Sequence, residues 1–167
     1  MKAEKAAFAA GCFWGVQQLF DGTRGVVATT AGYTGGGIGN PNYIMVCTGL
    51  TGHAEAVEAE YDPAQVKFEE LLKLFWEMHD PTQADGQGPD IGSQYRSAIF
   101  YHSAEQKKIA EKSLKEEQKK HEDKIVTQIE AAKEFWPAEG YHQKYYLSHP
   151  VVCHIPVSSL KKMGLSK

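Results

Sequence analysis

Residues 5–20 read Lys5-Ala6-Ala7-Phe8-Ala9-Ala10-Gly11-Cys12-Phe13-Trp14-Gly15-Val16-Gln17-Gln18-Leu19-Phe20. The first half is small and apolar, the composition of a short buried strand. Gly11 breaks it. Phe13, Val16, Gln17 and Phe20 then recur at helical spacing, so a helix starts there with one face toward a core. A buried strand turning through a glycine into a helix is the unit around which the remaining chain is organised. It leaves Cys12 at the junction.

Outward from this unit, residues 26–30 are β-branched and bounded by glycines, a second strand. Residues 32–42 are glycine-rich and read as a long loop. Residues 54–61 alternate alanine with glutamate, with Val57 slipping the phase, a half-buried strand ended by Asp62-Pro63. Phe68, Leu71, Leu72, Phe75, Trp76 and His79 mark a helix over 67–79, which Asp80-Pro81 stops. Residues 80–94 read as loop and 95–102 as a strand. Ser103 caps the next helix, with Gln106 completing a capping box. That helix, within 105–124, carries seven lysines and six acids, the pattern of a solvated face. Residues 125–129 form another strand, and 137–147 a short helix closed by Pro150. The strands are joined partly by helices and partly by plain loops. This predicts an α+β fold, a mixed or mostly antiparallel sheet with flanking helices. No repeat or linker divides the chain, so residues 1–167 form one domain, with a core over about 5–147 and a tail, 148–167, that carries Cys153.

The chain has 167 residues, 42% apolar and 23% charged, ordinary for a folded domain. Eighteen basic side chains stand against 21 acidic ones, a net charge of -3, which gives no electrostatic reason to expect nucleic acid or an anionic membrane as partner. Three cysteines are too few, and odd in number, for a disulfide scaffold. No apolar run approaches the roughly 18 residues of a membrane span. Lys2 and Lys5 precede a short apolar stretch and a cysteine, as in a lipoprotein signal, but the stretch is shorter than the ~7–15 residues a signal core requires. The protein is therefore read as starting at Met1 in a reducing cytoplasm.

A thiol at a helix amino terminus meets exposed N–H groups and the positive end of the helix dipole, which favour the nucleophilic thiolate. Position alone leaves Cys12 balanced between this reading and that of a small buried hydrophobe. Phe13 and Trp14 do not share a helix face, so one or both are placed to wall an apolar pocket beside the sulfur. Glu55 falls on a strand face with small apolar neighbours, where burial raises a carboxyl pKa and makes it an acid near neutrality. Asp90-Ile91-Gly92-Ser93-Gln94-Tyr95-Arg96 supplies a carboxylate and a phenol. Taken singly, an Asp90–Arg96 salt bridge and a core ring for Tyr95 are the better readings of these residues.

Gly11-Cys12-Phe13-Trp14-Gly15, Gly32-Tyr33, Asn40-Pro41-Asn42-Tyr43, Gly52-His53-Ala54-Glu55, His79-Asp80-Pro81-Thr82-Gln83, Asp90-Ile91-Gly92-Ser93-Gln94-Tyr95-Arg96 and Tyr141-His142-Gln143-Lys144-Tyr145 occur in this order. The ordered set resembles the A-type peptide methionine sulfoxide reductases over about residues 5–147. The resemblance implies a ferredoxin-like α/β sandwich and reduction of methionine S-sulfoxide, free or in oxidised proteins and peptides. It implies Cys12 as nucleophile, Phe13 and Trp14 as the cage around the substrate methyl, and Glu55 as proton donor. It gives Tyr43 and Tyr95 as phenols on the sulfoxide oxygen, with Asp90 behind the site. Attack leaves Cys12 as a sulfenic acid.

Cys47, in the apolar stretch Ile44-Met45-Val46-Cys47, reads as buried and inert. Cys153 reads as the thiol that resolves the sulfenic acid, the disulfide then being reduced by thioredoxin; an external thiol reductant and a packed place on a final strand are its alternatives. The tail departs from better-known relatives, which carry glycine-rich tails with one or two cysteines. No metal spacing or phosphate loop is present, so no metal and no cofactor are expected, and His142 reads as structural. A monomer is expected. The competing enzyme class is a thiol hydrolase or acyltransferase using His53, His79 or His142 as base. A non-catalytic module binding through the 105–124 helix is the third reading.

Overall fold

The computed structural model describes residues 2–149 and 158–167. In chain order the elements are β1 (Glu4–Ala10), α1 (Phe13–Asp21), β2 (Val26–Thr34), α2 (Tyr43–Cys47), β3 (Ala54–Tyr61), α3 (Phe68–Met78), β4 (Gly86–Gln87), β5 (Asp90–Ile91), β6 (Ser97–Tyr101), α4 (Ala104–Gln118), β7 (Gln128–Ala131), β8 (Trp136–Pro137), α5 (Tyr145–Ser148) and α6 (Ser158–Lys162). Short 3-10 turns cover Ser93–Tyr95 and Gly140–His142. Six strands form one sheet in the order β7-β6-β1-β3-β2-β8. Its pairs are antiparallel except β6 with β7, which is parallel and has α4 in its crossover. The mixed, mostly antiparallel sheet with flanking helices is therefore the observed fold.

Strand alternation makes two unequal layers. Ala6, Phe8 and Ala10 point into the main core with α1 and α3. Phe8 stacks on Phe20 at 4.9 Å and meets Phe75 at 5.6 Å. Each such buried ring contributes about 1.5–3 kcal/mol. Ala7 and Ala9 point the other way, into a small cluster with Ala54, Ala56, Ala98 and Phe100, against which Phe135 and Ala132 pack. Small side chains on that face let the chain before β8 come close. A Cβ at Gly32 would lie 2.4 Å from the Trp136 carbonyl oxygen.

The β1–β3 register runs without a slip from Glu4 opposite Tyr61 to Phe8 opposite Val57. Val57 is thus no phase break. Glu55, Val57, Ala59 and Tyr61 share the face that α1 covers, while Glu58 and Glu60 point away and Lys5 pairs with Glu58 at 3.0 Å. That places Glu55 beneath the start of α1.

Several boundaries differ from the sequence expectation. Residues 137–147 do not form one helix. Pro137 pairs with Gly32 in β8, the Ala138 N–H donates to the Ala31 carbonyl, and Lys144 adopts φ 52°, which interrupts helical continuity before α5. The 80–94 loop contains the β4–β5 hairpin. The strand expected at 125–129 begins at Gln128, because the Ile125 N–H donates to the Gln118 side chain and the Val126 N–H to the Pro81 carbonyl. The Ser103 cap is present, accepting the Gln106 N–H at 3.1 Å, but Gln106 reaches back to the N–H of His102. Residues 158–167 return to the body: Leu160 and Leu165 are buried, and the Lys167 N–H donates to the Gly22 carbonyl at 2.9 Å.

Candidate active site

Gly11 has φ +92°, and a Cβ there would lie 2.8 Å from Gln87 Cβ. A glycine alone lets β1 turn sharply while the β4–β5 hairpin lies against it. The next residue, Cys12, is the half-buried N-cap of α1. No acidic residue occupies the first turn of this helix. Its free N–H groups and dipole therefore favour an anion at Cys12, the arrangement that activates a thiol.

One of those N–H groups is engaged. The Phe13 N–H donates to Glu55 Oε1 at 3.3 Å. Glu55 is 1% exposed, and its Oε2 has no hydrogen-bond partner. Burial pushes its carboxyl up to about 8, with the Phe13 N–H opposing and the charge of Asp90 adding. At neutral pH Glu55 is an acid carrying a proton, beside the thiol-bearing helix start.

Tyr43 and Tyr95 reach the same region from two separate segments. Asn42 caps α2 by accepting the Met45 N–H at 2.9 Å, which sets the first turn that carries Tyr43. Tyr95 ends the 3-10 turn before β6 and is half-buried, not a core ring. Burial raises the phenol pKa of both above its ordinary value. For Tyr43 the next cause is its hydrogen bond to Cys47, and for Tyr95 the charge of Glu55. Both remain protonated donors. Cys47, Asp90 and Cys12 also bear on Tyr95, and Asp90 bears on Glu55, so these groups share one electrostatic neighbourhood. Asp90 is half-buried in β5 and forms no salt bridge with Arg96; Arg96 instead donates to the carbonyls of Gly52 and Ser93, each at 3.0 Å, and to Gln128.

The two adjacent aromatics diverge, as helix geometry demands. Phe13 is buried, 5.7 Å from the Tyr33 ring and 5.2 Å from His142. Trp14 is half-buried and stacked on Tyr145 at 3.8 Å, and its indole N–H donates to His142 Nδ1 at 3.0 Å. His142 therefore carries its proton on Nε2, which is buried without a hydrogen-bond partner, 3.9 Å from Glu139. Glu139 binds three groups: its Oε1 accepts from Tyr33 at 3.0 Å, and its Oε2 accepts the Tyr43 N–H at 3.2 Å and the Tyr141 hydroxyl at 3.1 Å. Burial pushes the Glu139 carboxyl up, but hydrogen bonds from its own backbone, Tyr33, Tyr43 and Tyr141 outweigh this and hold it below the usual range. Sequence reasoning did not single out Glu139. Its only local signal is a carboxylate three residues before His142.

Cys47 corrects an expectation. It is exposed, not buried, because α2 turns Val46 inward and its neighbour outward. Its thiol is raised by partial burial, which the Tyr43 hydrogen bond opposes, and by the charges of Glu55 and Glu139. Cys153 lies outside the described residues. Among the described residues no three His, Cys, Asp or Glu side chains gather as a metal site.

The histidines required by a hydrolase are committed elsewhere. His53 Nδ1 accepts the Gly36 N–H and its Nε2 bonds the Ile38 carbonyl. His79 bonds the Phe75 carbonyl and Ser97. His142 Nδ1 is taken by Trp14.

With this geometry in place, comparison with known proteins gives a consistent result. The family model "Peptide methionine sulfoxide reductase" matches residues 4–166. The peptide methionine sulfoxide reductase MsrA of Methanothermobacter thermautotrophicus is 54% identical over 149 residues, covering 88% of each chain. The reduced form of Mxr1 from Saccharomyces cerevisiae superposes with a TM-score of 0.86 at 36% identity, covering 93% of this chain and 91% of that one. Mxr1 in complex with Trx2 matches with a TM-score of 0.61 at 28% identity, covering 86% and 85%.

Proposed function

The chain belongs to the peptide methionine sulfoxide reductases, an oxidoreductase family, and from that premise we propose that its Cys12 thiolate attacks the sulfur of methionine S-sulfoxide while Glu55 protonates the departing oxygen. The observation that carries this reading is Glu55 itself, a buried protonated acid with one oxygen unpartnered, tied through the Phe13 N–H to the residue after Cys12.

Sulfoxide oxygen leaves poorly until it gains a proton. A neutral carboxyl with two phenols in a desolvated site supplies that proton and steadies the developing charge. Tyr43 and Tyr95 are assigned to the oxygen, and Asp90 to the electrostatic support of Glu55. Phe13 and Trp14 hold the substrate methyl, with the indole fixed by Tyr145 and His142. The bond formed between Cys12 Sγ and the substrate sulfur then breaks as the protonated oxygen passes to Cys12, which becomes a sulfenic acid while the sulfoxide is reduced to methionine. A second thiol then forms a disulfide with Cys12 and releases water. Cys153 is assigned that role, and thioredoxin the reduction of the disulfide, as the Mxr1–Trx2 complex suggests by similarity. The enzyme acts as a monomer in the cytoplasm.

The test is reduction of each sulfoxide epimer with dithiothreitol as electron source, read as methionine formed. Turnover of the S epimer alone is expected; turnover of neither epimer refutes the assignment. Disulfide mapping after one equivalent of S-sulfoxide, with no added thiol, is expected to find Cys12 joined to Cys153. Oxidised Cys12 beside a free Cys153 would transfer the resolving role to an external thiol.

A further inference from the structure

α2 is five residues long and buries one side chain, Val46. A helix this short does not hold its place by its own hydrogen bonds. Two groups fix its start. Asn42 caps it locally by accepting the Met45 N–H at 2.9 Å. The second group comes from 96 positions away: Glu139 Oε2 accepts the Tyr43 N–H at 3.2 Å.

The other oxygen of that carboxylate is tied to the sheet. Glu139 Oε1 accepts the hydroxyl of Tyr33 at 3.0 Å, and Tyr33 is 0% exposed. Tyr33 stands directly opposite Glu55 in the β2–β3 register and opposite Trp136 in β8. Cross-strand partners are side-by-side neighbours on one face of a sheet. The backbone before Glu139 is also held there, since the Ala138 N–H donates to the Ala31 carbonyl at 2.9 Å. An ionised carboxylate accepts at both oxygens, which lets one side chain join donors on two separate elements. Glu139 therefore links the strand neighbour of Glu55 to the first residue of α2. The Tyr43 ring has a second support in His142, whose ring lies 4.5 Å away and is buried.

We propose that Glu139 is a positioning residue for the reduction: it holds Tyr43 at a set place relative to Glu55, so that the phenol and the carboxyl proton meet the same sulfoxide oxygen. The proposal rests on the function assigned above, in which both groups serve that oxygen. Glu139 acts through Tyr43 and does not touch the substrate. Charge on the oxygen grows toward the transition state, so a fixed donor lowers the barrier more than it strengthens binding. Loosening Tyr43 is therefore expected to show in kcat rather than in KM.

The experiment measures reduction of methionine S-sulfoxide with dithiothreitol by the unaltered chain, by Glu139→Ala, Glu139→Gln, Tyr33→Phe and Tyr43→Phe, and by Glu139→Ala combined with Tyr43→Phe. Each protein is also unfolded in denaturant. Glu139→Ala is expected to lower kcat by about 10- to 100-fold with little change in KM. Glu139→Gln keeps an oxygen for the Tyr43 N–H and is expected to retain most of the activity. Tyr33→Phe keeps the ring but cuts Glu139 from the sheet, and is expected to lower kcat in the same direction. Tyr43→Phe keeps its backbone N–H, so adding Glu139→Ala to it should cost the same stability as in the unaltered chain but little further kcat. If the two kcat losses instead multiply to within about twofold in the double variant, the effect of Glu139 does not pass through the Tyr43 hydroxyl and the proposal is overturned. A Glu139→Ala effect confined to stability or to KM overturns it too. Where Glu139→Ala does not fold, Tyr33→Phe takes its place in the same cycle and decides by the same criterion. An unaltered chain that reduces neither epimer refutes the underlying function instead, and the role of Glu139 falls with it.

Discussion

The Trp14 indole N–H donates to Nδ1 of His142 at 3.0 Å, joining two side chains 128 positions apart in sequence. The bond fixes the indole and sets the tautomer of a histidine that is 1% exposed. It also removes His142 as a base for Cys12.

Trp14→Phe keeps a ring on Tyr145 but removes the donor, leaving a buried nitrogen unsatisfied. A loss of about 1–3 kcal/mol in stability is expected in denaturant unfolding. Kinetics on methionine sulfoxide should show KM rising more than kcat falls, because the chemistry at Cys12 is intact. A fall confined to kcat contradicts a substrate-holding role.

Glu55→Gln retains the shape and the Phe13 contact but cannot deliver a proton. Reduction is expected to slow by about 10²–10⁴-fold. In the unaltered enzyme the Glu55-dependent step should weaken as pH rises through about 8, where the carboxyl ionises. Loss of that alkaline limb in the variant identifies Glu55 as its source; an unchanged limb assigns it elsewhere.

The same carboxyl makes folding pH-dependent. Its native value is raised from 4.5 to about 8, so between these the native state keeps a proton that the unfolded chain has released. Stability contributed by Glu55 is therefore full below about 4.5 and lost as pH rises toward 8. Thermal unfolding of Glu55→Gln should show a flatter decline over that window. Parallel curves for the two proteins contradict the raised value.

Cys12→Ser should abolish turnover, since a hydroxyl is not ionised near neutral pH and a helix terminus does not make it so. Intact-mass measurement after exposure to substrate should show no added oxygen. Oxidation retained at another thiol in this variant would place the nucleophile elsewhere.

Gly11→Ala forces a Cβ to within 2.8 Å of Gln87 Cβ at a residue with φ +92°. A destabilisation of about 1–3 kcal/mol is expected. Because the displaced hairpin carries Asp90, kcat should fall as well. Full activity with unchanged stability would mean the hairpin yields freely.

Much of the site is local in origin, and this part is legible in the sequence. Gly11 followed by Cys12 and a helical apolar pattern places a thiol at a helix terminus, and alternation in 54–61 assigns Glu55 to an inner face. These are consequences of a period of two or 3.6 residues and of a glycine. The exposure of Cys47 is not legible in the sequence because α2 is only five residues long, too short for periodicity to reveal which side faces out. The course of residues 137–147 is not legible there for a related reason. Its proline and its backbone bonds are claimed by β2, a strand about a hundred positions earlier.

The sequence by itself determined the strand-to-helix unit and the placing of Cys12 at its junction, because each depends on neighbours within a few residues. Only the tertiary structure decided that Glu55 is desolvated beneath α1, that Trp14 is held by His142, and that Glu139 binds Tyr33, Tyr43 and Tyr141 together. Those outcomes depend on loss of solvent and on hydrogen bonds between distant segments, 42 residues apart for Phe13 with Glu55 and 128 for Trp14 with His142, which no local pattern encodes.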